Sequence, residues 1–402
     1  MRGIAGGTNM MHRLLTAVVA VVALVAGPLA VPSAAQTGFE SRASAAYVID
    51  VTSGTVLLDV NSDIPLPPAS MSKLMTLTML FEAIEDGRLS LDTTFTVSER
   101  AHAMGGSRMF LETRHRPTAE DLIRGIAVLS GNDATVVVAE GLAGTEEAFA
   151  TMATRRARDL GMENTTIANA SGWPHPEHRM SMRDLAILAE HMITEFPQFY
   201  PYLAEAEFTW NNITQSNRVP LLGAGVGLDG LKTGFTSEAG YSLTGSALQG
   251  DRRIIFAFSG LGSERERLEE AERIINWAFR QFASVTVARA GTVLAEADVW
   301  MGEAPRVPLT LAEDLRILIP SIAQRNIEAR AVFDAPLPAP VQAGQRVGDL
   351  VISVPDMEDR RVPLIAAAAV PEGGFMVRMQ AAAQVLLREI QGARDGDATA
   401  LQ

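Results

Sequence analysis

The sequence predicts an α+β fold with an antiparallel sheet, followed by a small all-β domain. Three observations lead there. Residues 45–60 alternate apolar and polar about a turn, and residues 70–193 carry helical apolar spacing. Strand-like runs return near 229, close on a charged helix, and continue beyond about 284 as short runs punctuated by Gly and Pro.

In chain order, "AAYVIDVTSGTVLLDV" reads as a hairpin about Thr-Ser-Gly, with Val48 and Val51 before the turn and Val56, Leu58 and Val60 after it. "SMSKLMTLTMLFEAIEDG" reads as a helix stopping at Gly87. Met71, Leu74, Met75, Thr78 and Phe81 form one stripe, so this helix belongs in the core. Thr118 and Asp121 are spaced as a capping box before "AEDLIRGIAVL". "SGND" interrupts, and "ATVVVAEGLAG" resumes as a second helix. Further helices are expected at 145–160 and 181–193. "GLKTGFT", "GYSLTGSAL" and "RRIIFAFSGL" read as strands, and "ERERLEEAERIINWAFRQF" as an amphipathic helix. The later strands fall in "TVARAGTVLAEADVWMG", "LRILIPS", "IEARAVF" and "QRVGDLVISV". No internal repeat is evident.

Composition narrows the function classes. The 402 residues suffice for two domains, and 47% hydrophobic with 20% charged residues is ordinary globular composition. The net charge of −13 becomes −15 without Arg2 and Arg13, an acidic balance that argues against nucleic-acid binding. It leaves room for an anionic substrate, since a local pair of cations can hold one carboxylate. The absence of cysteine excludes disulfides, thiolate catalysis and zinc-cysteine sites. The mature histidines His102, His115, His175, His178 and His191 show no His-Glu-x-x-His pattern, so no metal or other cofactor is expected.

Residues 1–35 carry Arg13, an apolar run from Leu14 to about Ala26, and small residues before a cut after Ala35. They read as a signal peptide for export to the periplasm or the outer face of the cytoplasmic membrane. Residues 36–283 then form the catalytic domain, 284–371 the β domain, and 372–402 a helix or tail. In that tail Phe375, Met379, Ala383, Leu386 and Ile390 recur at helical spacing, opposite Gln380, Gln384, Arg388 and Gln391. Such a face would lie on a membrane surface or pack on its own domain.

The chemistry begins at "PPASMSKLMT". Ser70 stands three residues before Lys73, as a helix cap ahead of a solvated lysine or as a nucleophile with its base. Residues three apart share a helix face, so the lysine nitrogen can reach the serine oxygen. It serves as a base only if burial or nearby cations lower its pKa. "LSGND" offers Ser130 and Asn132 at a break between helices, otherwise a plain turn. "GLKTGFT" offers Lys232 and Thr233 from one strand, with Gly234 admitting a close backbone approach.

Ser-x-x-Lys, Ser-x-Asn and Lys-Thr-Gly, in this order, resemble the active-site set of penicillin-binding proteins and serine β-lactamases. The gaps are 57 residues from Lys73 to Ser130 and 100 from Asn132 to Lys232. "AAYVIDVTSGTVLLDVNSD", "GGSRMFLE", "NRVPLL", "GLDGLKTGFTSEAGYSL" and "VWMG" extend the likeness over most of the mature chain. The whole resembles a low-molecular-mass penicillin-binding protein of the D-alanyl-D-alanine carboxypeptidase type.

The resemblance implies a β-lactamase/transpeptidase-like catalytic domain, a peptidoglycan pentapeptide substrate, a part in wall maturation and cell shape, and β-lactams as covalent inhibitors. It implies Ser70 as nucleophile, Lys73 as base, Ser130 as proton carrier and Asn132 as amide-orienting group. Lys232 and Thr233 would hold the terminal carboxylate, with Arg218 adding to the local positive field. Arg267 is a further carboxylate candidate, with Arg265 two residues away. The N–H groups of Ser70 and Phe235 would form the oxyanion hole. Phe235 stands where relatives often carry a polar residue, "ETRHRPTAED" is unusually basic, and the tail after Glu389 is neither aromatic nor basic. A D,D-endopeptidase would use the same groups. A β-lactamase would need a glutamate for deacylation, and Glu163 lacks the Glu-x-x-Leu-Asn context. A silent wall-binding module would not need complete motifs.

Overall fold

The computed structural model describes residues 39–323, 326–355, 359–377 and 379. The leader at 1–35, and the tail positions Ala383, Leu386 and Ile390, lie outside the described residues.

The chain opens with β1 (Ala45–Asp50) and β2 (Thr55–Val60), then a 3-10 turn at Ala69–Ser72 running into α1 (Lys73–Glu85). The helical block continues with α2 (Glu99–His102), α3 (Ala119–Ala127), α4 (Asn132–Ala143), α5 (Glu146–Asp159) and α6 (Met182–Glu195). A hairpin of β3 (Glu207–Trp210) and β4 (Ile213–Ser216) precedes β5 (Leu228–Thr236), β6 (Gly240–Gln249), β7 (Arg252–Leu261) and α7 (Glu264–Gln281). One antiparallel sheet takes the order β2-β1-β7-β6-β5, which places β5 at its edge.

Both faces of that sheet are covered, and period-two alternation sorts the side chains. Ala45, Tyr47, Ile255 and Ala257 turn to the helical block, packing with Leu74, Leu77 and Phe81 of α1. Ala46, Val48, Ile254, Phe256 and Phe258 turn to Ile274, Ile275 and Ala278 of α7. The expected stripe Met71, Leu74, Met75, Thr78 and Phe81 is buried throughout. Each such apolar side chain contributes ~1.5–3 kcal/mol on burial, so the helix that starts at Lys73 is a fixed platform. The capping box is present, Thr118 accepting from Asp121 N–H and Asp121 from Thr118 N–H.

The rest forms a smaller all-β unit around Val307, Leu309, Leu350, Ile352 and Leu364. It comprises β8 (Phe282–Ala288), β9 (Ala295–Trp300), β10 (Arg306–Thr310), β11 (Leu315–Pro320), β12 (Glu328–Phe333), β13 (Leu337–Pro338), β14 (Arg346–Ser353) and β15 (Arg360–Ala366). Two of these, "RVPLT" and "RRVPLIA", escape a reading that treats interior proline as a strand breaker. They fit because β10 and β15 pair only through Leu309–Ala366 and Thr310–Ile365, leaving Pro308 and Pro363 outside the overlap. The β3–β4 hairpin carries little apolar alternation. Its signal is Asn211-Asn212, both at positive φ, as a two-residue primed turn requires.

Candidate active site

Ser70 lies in the 3-10 turn that leads into α1, and its hydroxyl caps nothing: neither that turn nor α1 has a side-chain cap bond. The cap expectation therefore fails. Instead Lys73 Nζ donates to Ser70 Oγ at 2.7 Å. The turn is strained, with Ala69 at φ 51°, and the Ser72 hydroxyl donates to the Ala69 carbonyl at 3.0 Å. Lys73 is wholly buried, not a surface residue. Burial first, and the Lys232 charge second, hold its pKa well below the ordinary lysine value against the opposing pull of Asp133. A lysine held this way is neutral more readily and can take a proton.

Ser130 and Asn132 flank the start of α4, where the chain break leaves Ser130 at φ 61°. Asn132 Nδ2 donates to Gly105 O at 2.7 Å and its backbone N–H to Ser107 O at 2.8 Å. Asp133 is buried behind them and accepts from the N–H groups of Met109 (2.9 Å), Leu111 (3.0 Å) and Ala134 (2.9 Å). The Gly105–Leu111 segment and the Ser-Gly-Asn break thus hold each other.

The edge strand β5 closes the opposite side. Thr233 lines the cleft, whereas Lys232 is fully buried beneath it, its nitrogen without a partner among the described residues. Burial, then Arg218 and Arg267, bring the Lys232 pKa down to about 7. Gly234 lines the cleft, and its own neighbours also crowd it: a methyl there would stand 2.5 Å from Ser242 Oγ, 2.9 Å from Pro68 O and 3.2 Å from Ala69 Cβ.

Both candidate arginines reach the cleft, which encloses about 470 Å3. Of the neighbours Arg265 and Arg267, only Arg267 lines the cleft. Arg267 is buried, its guanidinium over the Tyr241 ring at 5.6 Å from the centroid and 3.6 Å from Glu264, while Arg265 is exposed and paired with Glu269. Phe235 is 55% exposed and packs on Tyr241 with centroids 4.4 Å apart. Glu163 is exposed and does not line the cleft.

Several cleft groups escaped the sequence reading. The Ser171 carbonyl accepts from Lys73 Nζ, and Trp173, Gly106, Ser107 and Glu264 line the walls. The only sequence signal at Ser171 and Trp173 is loop punctuation by Pro174 and Pro176. His178, in the loop after Pro176, is 2% exposed and accepts from Ala168 N–H through Nδ1.

Fold and site together define a serine hydrolase whose nucleophile candidate is paired with a buried lysine. The family model described as "D-alanyl-D-alanine carboxypeptidase", Peptidase S11, matches residues 30–260, and the "Penicillin-binding protein 5, C-terminal domain" matches 282–372. The chain belongs to the S11 family of D-alanyl-D-alanine carboxypeptidases, with a C-terminal domain of the penicillin-binding protein 5 kind. D-alanyl-D-alanine carboxypeptidase DacC of Escherichia coli is 35% identical over 345 residues, covering 84% of this chain and 86% of the relative. DacF of Bacillus subtilis is 33% identical, over 83% of this chain and 87% of its own. The crystal structure of penicillin-binding protein 5 from Haemophilus influenzae superposes with a TM-score of 0.75 at 32% identity, covering 84% of this chain and 99% of that one.

Proposed function

We propose that this protein removes the terminal D-alanine from peptidoglycan pentapeptide stems through an acyl-enzyme on Ser70. The observation that carries the reading is the contact between a wholly buried lysine and Ser70 Oγ at 2.7 Å. Neutral Lys73 takes the Ser70 proton as Oγ bonds to the carbonyl carbon between the last two alanines. The N–H groups of Ser70 and Phe235 stabilise the oxyanion, each such donor being worth ~3 kcal/mol. Ser130 passes the proton to the departing amine, the C–N bond breaks, and D-alanine leaves. Asn132 orients the peptide amide, and water then cleaves the Ser70 ester. Thr233 on the wall, Lys232 beneath it, exposed Arg218 and buried Arg267 make the field that holds the terminal carboxylate.

β-Lactams are the covalent inhibitors this site would accept. A relative, penicillin-binding protein D2 of Listeria monocytogenes, 30% identical over 61% of this chain, has been solved in ampicillin-bound and cefotaxime-bound forms. The segment at 1–35 supports work outside the cytoplasmic membrane, in wall maturation and cell shape. The tail after residue 372 would add a membrane-surface contact.

The test is labelling by a fluorescent penicillin, followed by mass spectrometry of peptidoglycan pentapeptide. We expect labelled wild type, unlabelled Ser70→Ala and loss of one alanine. A labelled Ser70→Ala would refute the nucleophile. Cleaved cross-links without alanine loss would make the enzyme an endopeptidase.

A further inference from the structure

The loop at Asn169–Trp173 lies along the first turns of α1 as a strap. Two residues on one face of α1 donate to consecutive carbonyls of that loop: Thr76 Oγ1 to Ala170 O at 2.8 Å, and Lys73 Nζ to Ser171 O at 2.5 Å. Gly172 follows at φ 77°, so close to the nucleophile's turn that a methyl there would stand 1.9 Å from Ala69 O.

One side chain shapes the strap. Asn169 Oδ1 accepts from three successive backbone donors, Ser171 N–H (3.2 Å), Gly172 N–H (2.8 Å) and Trp173 N–H (3.0 Å). Its Nδ2 donates back to Trp173 O at 2.9 Å. The carboxamide thus fixes the peptide planes on both sides of the Ser171 carbonyl.

That carbonyl decides what Lys73 can do. A neutral amine has two N–H bonds and one lone pair. With one N–H held by Ser171 O, the lone pair is steered toward Ser70, whose O–H then becomes the donor. A free carbonyl would let the amine turn about its Cε–Nζ bond and point an N–H at the nucleophile instead.

We propose that Asn169 is a positioning residue for acylation, acting through the Ser171 carbonyl on the lone pair of Lys73. The role rests on the reading of Ser70 and Lys73 as nucleophile and base. Asn169 touches neither of them, and Trp173 keeps a second seat against Gly106, where an added methyl would meet its ring at 3.3 Å. Loss of the carboxamide therefore disturbs the chemical step more than binding.

The experiment is stopped-flow acylation of the full chain by a fluorescent penicillin, separating the acylation rate constant from the dissociation constant of the preceding complex. For Asn169→Ala the rate constant falls ~10- to 100-fold, the scale of a ~1 Å misplacement, while the dissociation constant stays within about 3-fold. Asn169→Thr recovers ~3-fold or more, because its hydroxyl can accept from an N–H two residues on. An alanine variant acylating within about 2-fold of wild type, a loss confined to the dissociation constant, or a threonine variant no faster than alanine would each overturn the role. If Asn169→Ala does not fold, Asn169→Thr alone decides: a ~3- to 10-fold slowing supports the proposal and the wild-type rate overturns it. An unlabelled wild type overturns the nucleophile reading and the role of Asn169 with it. A labelled wild type beside an unaffected variant overturns the role alone.

Discussion

Gly172→Ala tests how closely the Ser70 turn depends on its neighbour. The glycine sits at φ 77°, where an L-residue costs ~1–2 kcal/mol, and the new methyl would lie 1.9 Å from Ala69 O and 2.8 Å from Ser72 Oγ. Contacts of a real methyl below 3.0 Å essentially never occur, so the loop and the Ala69 turn must part by more than 1 Å. Overpacking against backbone adds ~1–3 kcal/mol, giving a total destabilisation of ~2–5 kcal/mol. Because Ala69 precedes Ser70, a shift of ~1 Å also slows acylation ~100-fold. Gly87→Ala is the control: its φ is 72° with nothing within 4 Å of the added methyl, so it pays only the ~1–2 kcal/mol of backbone strain. Urea unfolding gives the stabilities and time-resolved penicillin labelling the rates. A Gly172→Ala protein that matches Gly87→Ala in stability, or labels at the wild-type rate, would refute the reasoning.

Two further outcomes follow from buried charge. Lys232 is the second cause of the depressed Lys73 pKa, so Lys232→Gln raises that pKa and leaves Lys73 protonated over a wider range. The acid limb of residual acylation then moves to higher pH, and a limb that stays put or moves to lower pH contradicts the assignment. His178 is buried and its pKa is lowered from 6.5 to about 3, so the unfolded chain binds a proton that the folded chain refuses. The wild type should lose up to ~1.4 kcal/mol per pH unit as pH falls below about 6.5. His178→Gln should flatten that slope in a urea series between about pH 6.5 and pH 5, and an unchanged slope would show that His178 is not its source.

Local pattern carried far in this chain. Helical spacing marked α1 as a core helix, the Thr118–Asp121 capping box marked the start of α3, and three motifs in order marked Ser70, Lys73, Ser130, Asn132, Lys232 and Thr233. Those signals are legible because they are local: a helix face recurs every three or four residues, and a cap needs only its own turn. The β10 and β15 strands were hidden for the same reason. Proline speaks against a strand locally, and only the short overlap between those two strands excuses it.

The sequence by itself singled out the candidate groups: a serine with a lysine three residues on, a Ser-Gly-Asn break, a Lys-Thr-Gly strand and the arginines to serve them. The tertiary structure decided which of them stand on the cleft wall and which lie beneath it. It chose Arg267 over Arg265 by burying one against Tyr241 and exposing the other. It showed that Gly234 packs against the Ser70 turn, and that a carbonyl 98 residues from Lys73 accepts from its Nζ. Backbone carbonyls carry no residue code, and burial is a property of the neighbours rather than of the residue. Partners this distant in the chain become visible only once α1, the 169–173 loop and β5 are packed together.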